Sequence, residues 1–444
     1  MQPLHYRRIG PGAGSQRRLW ISHAYQRDAR PMRLLLNPRQ IRRVLLASVL
    51  AILSAVALTG CLNDLTPQGR WSAPVSDGNF IYIGNLDGVL VRVDAVSHAF
   101  DVNWLYPYEL DGVRKKPNGL GAIYGAPVVE NGAVYAAGYT CAGSNCDGEV
   151  LAVSTENGEI AWNSGRATLE TKLVGQVELT ANDLLLVGTG ALGGDREPPG
   201  YLIAFSSDPI AGRRIQWRVA LDGEVLGDIA VDNATNTAYV GTAAGTLYAI
   251  DISEEDLSER VKWQYSADGA IAGNIVFHSG AIYFGDLASN FYRLNPRSQS
   301  LDWQFDAEAW VWAEGIPDEE KGTIYVSTLG GHIYALNIST GDLIWSNRID
   351  GQIIGTPLLF DRVRNEFSQR VLAVPSGDED VHVLNVNDGQ IIGTFPTDSA
   401  VKSSPVLIND FIYIHTLDGE LKWYSPSDQT LQGCIGLKDG GRCD

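Results

Sequence analysis

The sequence predicts an all-β chain, an eight-bladed β-propeller of four-stranded antiparallel blades, on three observations. The stretches AVSTENGEIAW, Ala152 to Trp162, and ALNISTGDLIW, Ala335 to Trp345, place a small residue, a Gly and a Trp at the same offsets. Tyr82, Tyr135, Tyr239, Tyr283, Tyr325 and Tyr413 recur, with Leu185 or Leu186 and Leu372 filling the two gaps. From the first Tyr to the last is 331 residues over seven intervals, about 47 each, a period that suits propeller blades. No helical heptad or long amphipathic run competes with the period-two alternation.

Each unit reads alike. A first strand follows a small residue and often Pro, as at Ala73-Pro74-Val75, Ala126-Pro127-Val128, Thr356-Pro357-Leu358 and Ser404-Pro405-Val406. A second strand carries the Tyr, as in NFIYIGN and GTIYVST, and a Gly-containing turn leads to a third, as in GHIYALN. The fourth ends in an indole: Trp104, Trp162, Trp217, Trp263, Trp303 and Trp345. At equivalent places in successive units these six are expected to be wedges between blades, not a cofactor cage. Gly393 and Gly433 stand where units seven and eight should carry Trp. Either the tail TLQGCIG or the segment before Trp71 is expected to close the ring. Four short strands bury their faces only against neighbouring units, and radial closure removes exposed edges.

Ahead of the repeats, Val44 to Leu58 is an apolar run of 15 residues preceded by Arg33, Arg39, Arg42 and Arg43 and followed by Thr59-Gly60-Cys61. That is the layout of a secretory signal, too short for a comfortable membrane span. Leu58-Thr59-Gly60-Cys61 resembles the bacterial lipobox, which implies Cys61 as the lipid attachment site. The expected organisation is an upstream extension at 1–31, a lipoprotein signal peptide at 32–60, a tether at 61–70, the propeller at 71–433 and a Cys-containing tail at 434–444. Cleavage before Cys61 leaves 24 basic against 51 acidic side chains, a net charge of −27. Such a surface repels nucleic acid and anionic lipid head groups, so the membrane link has to be acyl chains.

Four further cysteines, Cys141, Cys146, Cys434 and Cys443, suit disulfides in an exported chain, and proximity favours 141–146 and 434–443 among the three connectivities. The insertion LYPYELDGVRKKPNGLGA sets Tyr106, Tyr108, Arg114, Lys115 and Lys116 in an acidic protein and is a candidate partner contact, as is TGALGGDREPPG, Thr189 to Gly200.

The repeated small-x-Asp/Asn-x-x-x-Gly-x-x-x-Trp unit, spanning about residues 71 to 425, resembles the tryptophan-docking repeat of the pyrroloquinoline quinone (PQQ)-type propellers. That family holds quinoprotein dehydrogenases as well as scaffold lipoproteins without a cofactor. Among the scaffolds, the plan is similar to the β-propeller lipoprotein of the outer-membrane β-barrel assembly (Bam) machinery, in its lipobox, its eight blades and a mature length near 384 residues. The four extra cysteines and the strong acidity depart from that pattern. A dehydrogenase of this family would need Ca²⁺ on oxygen ligands, a general-base Asp, a Trp plane under the quinone and, in most members, adjacent cysteines. The sequence has no adjacent pair and no Cys-x-x-Cys-His haem signature.

The resemblance therefore implies a non-catalytic, membrane-tethered scaffold that binds proteins, a monomer within a complex, at the periplasmic face of the outer membrane or the cell surface. No cofactor is expected. The alternatives are a PQQ- and Ca²⁺-dependent dehydrogenase and a ligand-sensing surface lipoprotein. No metal site is expected; Asp286 and Glu314, at positions that could approach the central channel, are the weak candidates, ahead of Asp228 and Asp378-Glu379-Asp380. His278, His332, His382 and His415 fall in different repeats without ligand spacing and read as structural or exposed.

Overall fold

The computed structural model of the chain describes residues 71–106, 120–142, 145–164, 169–192, 198–208, 214–364 and 366–443. Among these, thirty-two strands form eight four-stranded antiparallel sheets, each built from one uninterrupted run of chain. In chain order β1–β4 span 75–106, β5–β8 128–163, β9–β12 178–221, β13–β16 230–266, β17–β20 276–306, β21–β24 316–348, β25–β28 358–396 and β29–β32 406–436, giving blades one to eight. The fold class is the one read from the repeats.

Blade six shows why the repeat folds as it does. The second strand, β22 (Thr323–Ser327), is buried throughout, whereas the fourth, β24 (Leu343–Arg348), buries Trp345 between exposed neighbours. Between β23 (His332–Asn337) and β24, the Asn337 side-chain oxygen accepts from the amides of Ser339 and Thr340 at 2.9 and 3.0 Å, and Gly341 takes φ 76°. A bulge between Ala335 and Leu336 leaves Ala335 opposite Trp345. The same small-residue and Trp pairing joins Ala152 to Trp162, Ala204 to Trp217 and Ala249 to Trp263.

The indoles then dock on the next blade. Trp104 donates Nε1–H to Ser154 O at 2.8 Å, Trp303 to Ile338 O at 3.2 Å and Trp345 to Val386 O at 2.8 Å. Gly158, Gly341 and Gly389 lie beneath those three rings, and a Cβ on Gly389 would come within 2.4 Å of Trp345. The core is accordingly eight apolar layers, one between each pair of adjacent blades, including blades eight and one. Each layer requires the next blade to exist, which is why the fold closes into a ring.

The two units lacking the fourth-strand Trp solve the packing differently. In blade seven the space beside Gly393 is taken by Gln429 of blade eight, at the position other blades give to Gly. In blade eight the pair is inverted: Trp423 sits on the third strand opposite Gly433 on the fourth. The tail supplies that fourth strand, β32 (Leu431–Gly436), so the propeller runs three residues past the boundary expected at 433. The second strand of blade seven also shifts the expected register, with Ala373, not Leu372, opposite the first strand at Leu358. Leu186, opposite Glu178 on the first strand and Ala204 on the third, is the occupant in blade three.

Two disulfides complete the picture. Cys141–Cys146 joins the ends of β6 (Ala133–Ala142) and β7 (Asn145–Ser154), and Cys434–Cys443 ties β32 to the segment that follows it.

Candidate binding site in the central channel

The chain reaches each first strand through three residues in a pattern of any, small, then mostly polar: Val174-Gly175-Gln176, Leu226-Gly227-Asp228, Ala272-Gly273-Asn274, Trp312-Ala313-Glu314, Ile354-Gly355-Thr356. The middle residue is small because neighbouring backbones touch there. A Cβ on Gly227 would lie 2.0 Å from Gly273 O, and one on Gly273 2.3 Å from Trp312 O. The third residue builds a belt from blade to blade. The Gln176 amide donates to Asp228 Oδ1 at 2.7 Å, the Asp228 amide to Asn274 Oδ1 at 3.1 Å, and the Thr356 amide to Ser404 Oγ at 2.9 Å.

These segments enclose a cavity of about 350 Å³. One wall is aromatic: Trp71 meets Tyr124 with centroids 4.5 Å apart, Tyr124 stacks on Tyr139 at 5.9 Å, and Trp312 lines the opposite side. The Cys141–Cys146 disulfide packs against this wall. Lys402 places Nζ 5.0 Å from the Trp71 ring centroid, a cation–π contact.

The other wall is acidic. Burial, reinforced by the charge of Asp228, raises the Glu314 carboxyl to about 7, and the same two causes raise Glu178 to about 7. Burial also raises Asp228, against the lowering effect of the Gln176 amide. Three carboxyls thus compete for ionisation in one low-dielectric space.

Of the sequence candidates, Glu314 and Asp228 line this cavity. Asp286 does not: it is fully buried in the turn between β18 (Ala281–Gly285) and β19 (Asn290–Asn295), accepting from the Ala288 and Asn290 amides and from Tyr292 OH at 2.8 Å. Its oxygens are consumed by the turn. Asp378 pairs with His382 at 2.8 Å, away from the cavity. His278 meets Glu319, His332 meets Tyr334 OH, and His415 bonds Ser72 O. Glu420 approaches Cys434 and Cys443, but both sulfurs are in the disulfide and offer no thiolate. Cys61, Tyr108, Arg114, Lys115 and Lys116 lie outside the described residues, as does part of Thr189 to Gly200; the backbone of Tyr106 ends β4 (Phe100–Tyr106), opposite Leu90.

Sequence reasoning missed Trp71, Tyr124, Trp312, Gln176, Asn274 and Lys402. The signal is the tripeptide that recurs just ahead of the first strands, leading, as at Ile354-Gly355-Thr356, into the small-residue and Pro unit that marks those strands in the sequence. It also missed the hairpin of β25 (Leu358–Arg364) and β26 (Phe367–Pro375), whose Phe367 is 79% exposed.

Ring, repeat and docking indoles together define a PQQ-like β-propeller. A family model described as the outer membrane protein assembly factor BamB matches residues 146–306 and 288–366, and the chain is a propeller that resembles BamB. It is 26% identical over 204 residues to BamB of Pseudomonas aeruginosa, a match spanning 43% of this chain and half the length of that relative. BamB of Moraxella catarrhalis superposes with a TM-score of 0.58 at 17% identity, covering 80% of this chain and 94% of that one. The quinohemoprotein alcohol dehydrogenase of Comamonas testosteroni gives 0.57 at 12% identity, over 80% and 70% of the two chains. These two structural likenesses speak to fold alone, and the second shows that the fold can be catalytic.

The residues of this cavity do not fit PQQ. The quinone carries three carboxylates, and among the described residues the lining offers one cation, Lys402, against Asp228 and Glu314 with Glu178 beside them. Lys402 already occupies a face of Trp71. Asp228 Oδ1 and Asn274 Oδ1, oxygens a Ca²⁺ would need, are engaged by belt amides.

Proposed function

We propose that the chain is a non-catalytic lipoprotein scaffold, tethered to a membrane through Cys61, that binds partner proteins in outer-membrane protein assembly. The observation that carries this reading is the match of the BamB family model across 146–366. A propeller offers rigid blades carrying variable loops, and such loops are where recognition concentrates. The insertion at 105–122 and the exposed tip at Phe367 are the contact candidates. Among the described residues no helix is long and apolar enough to cross a membrane.

The test is crosslinking in the native host. Recovery of β-barrel assembly components, lost on deleting 105–122, supports the scaffold. Palmitate labelling that survives Cys61→Ser removes the anchor from it. The second reading, a quinone-dependent dehydrogenase, is favoured only by the fold likeness to the Comamonas enzyme; dye-linked alcohol oxidation by the purified chain supplied with PQQ and Ca²⁺ would establish it and overturn the first.

A further inference from the structure

We propose that the central cavity is a binding site for a cationic alkylamine, its ammonium group held by Glu314 and Asp228 and its hydrocarbon against Trp312, Trp71 and Tyr124. Three observations meet here. Glu314 lines the cavity and is half-buried, its amide donates to Thr356 Oγ1 at 3.3 Å, and among the described residues its carboxyl has no hydrogen-bond or ion-pair partner. Asp228 keeps its second oxygen, Oδ2, outside the belt. The aromatic wall is one on which a primary ammonium, that of Lys402, already rests, 5.0 Å from the Trp71 centroid.

Charge and shape select among ligands. A half-buried carboxyl without a partner is relieved by a cation, and with Asp228 and Glu314 outnumbering Lys402 in the lining an anion is disfavoured. A hard divalent ion wants six or more oxygens, whereas much of this lining is indole, phenol and aliphatic carbon. An alkylamine satisfies both halves: its ammonium donates up to three hydrogen bonds to carboxylates, and its methylenes and charge suit aromatic faces. The cavity, at about 350 Å³, lies at the small end of ligand-site volumes. The ammonium can come from a free diamine or from a lysine side chain of a partner protein.

The experiment uses the full chain in neutral detergent, followed by tryptophan fluorescence and calorimetry. Titration with 1,5-diaminopentane is expected to saturate, and 1,5-pentanediol, of similar length but uncharged, to bind at least tenfold more weakly. Glu314→Gln and Trp312→Leu are each expected to weaken the diamine at least tenfold, with circular dichroism confirming that one of them keeps the fold. A lysine peptide that binds where its acetyl-lysine form does not, with free diamine inert, assigns the ammonium to a partner and upholds the site. Equal binding of diol and diamine, no binding by either amine, or an affinity untouched by both variants overturns it. So does displacement of the amine by Ca²⁺ at lower concentration than the amine itself needs. None of these readouts depends on outer-membrane assembly, so the site and the scaffold can fail separately.

Discussion

The imidazole of His98 lies flat on the indole of Trp423, with centroids 4.4 Å apart and planes within 5°. His98 holds φ 55° at the turn position that elsewhere is Gly beneath a Trp, and Trp423 comes from the third strand because Gly433 has vacated the fourth. One seam of the ring therefore closes by an aromatic pair in place of indole on glycine. Hydrogen bonds from Asn85 Nδ2 to Leu437 O at 3.0 Å and from Asn409 Nδ2 to Gly78 O at 3.1 Å accompany it.

Trp423→Ala is expected to destabilise the chain by about 3–5 kcal/mol, the usual cost of emptying a large aromatic site. The variant Trp423→Ala/Gly433→Trp/His98→Gly restores the arrangement of the other blades and should recover more than half of that loss. Urea denaturation of the three proteins measures both, and a triple variant no better than the single one would show that the inverted pair is not interchangeable with the common one.

Gly341→Ala should cost about 3 kcal/mol, from a left-handed backbone together with a Cβ 2.7 Å from Trp303 Cδ2. Gly280→Ala has the same φ, 76°, and nothing within 4 Å of its Cβ, so it should cost about 1 kcal/mol. The difference between their denaturation midpoints isolates the indole contact.

His415 is held neutral by burial, which lowers its pKa to about 4 despite its bond to Ser72 O. The native state then binds fewer protons than the unfolded chain between about 4 and 6.5, so stability falls as pH drops through that window. The loss amounts to about 3 kcal/mol at its limit. Because Ser72 and His415 face each other across the seam of blades one and eight, acid should loosen this joint first, seen as early hydrogen exchange at Ser72 and in β30 (Phe411–His415). His415→Asn should flatten the slope.

The channel acids act in the opposite sense. With Glu314 and Glu178 raised to about 7, the native state takes up protons between about 4.5 and 7 that the unfolded chain does not, so their contribution is most favourable in acid and is lost as pH rises through that range. Glu314→Gln should therefore be more stable than the parent at pH 8 and nearly equal to it at pH 4. A variant destabilised at pH 8 would mean that the carboxylate has a counter-charge after all.

Phe367→Asp replaces a side chain that is 79% exposed, and should leave stability within about 0.5 kcal/mol while reducing crosslinked partner recovery. Unchanged recovery would leave 105–122 as the contact to pursue.

The eight blades were legible because each repeats a local rule: alternation along the strands, an Asx turn such as Asn337, and a Gly–Trp spacing. Closure was not, since it rests on exceptions that no single repeat announces. Gly433 stands in the sequence as a missing Trp, and only the sheet register sets Trp423 across from it; nothing in the sequence marks Gln429 as the residue that fills the space beside Gly393. The cavity was half legible. Glu314 and Asp228 stood out as acids, but Trp71, Trp312 and Tyr124 converge only when segments more than fifty residues apart meet around the axis. Asp286 misled because a carboxylate capping its own turn looks, in sequence, like one reaching for a ligand.

The first strand of blade one, β1 (Val75–Ser76), has two residues and only two ladder pairs, Val75 with Tyr82 and Ser76 with Ile81. Trp71, four residues ahead of it, belongs to the cavity wall. A mechanical load on the chain ahead of Trp71 would thus meet the aromatic wall first and a two-rung ladder second, before any long strand bears it. Force applied at Trp71 would reach the cavity wall while the other seven blades stay loaded only through their neighbours.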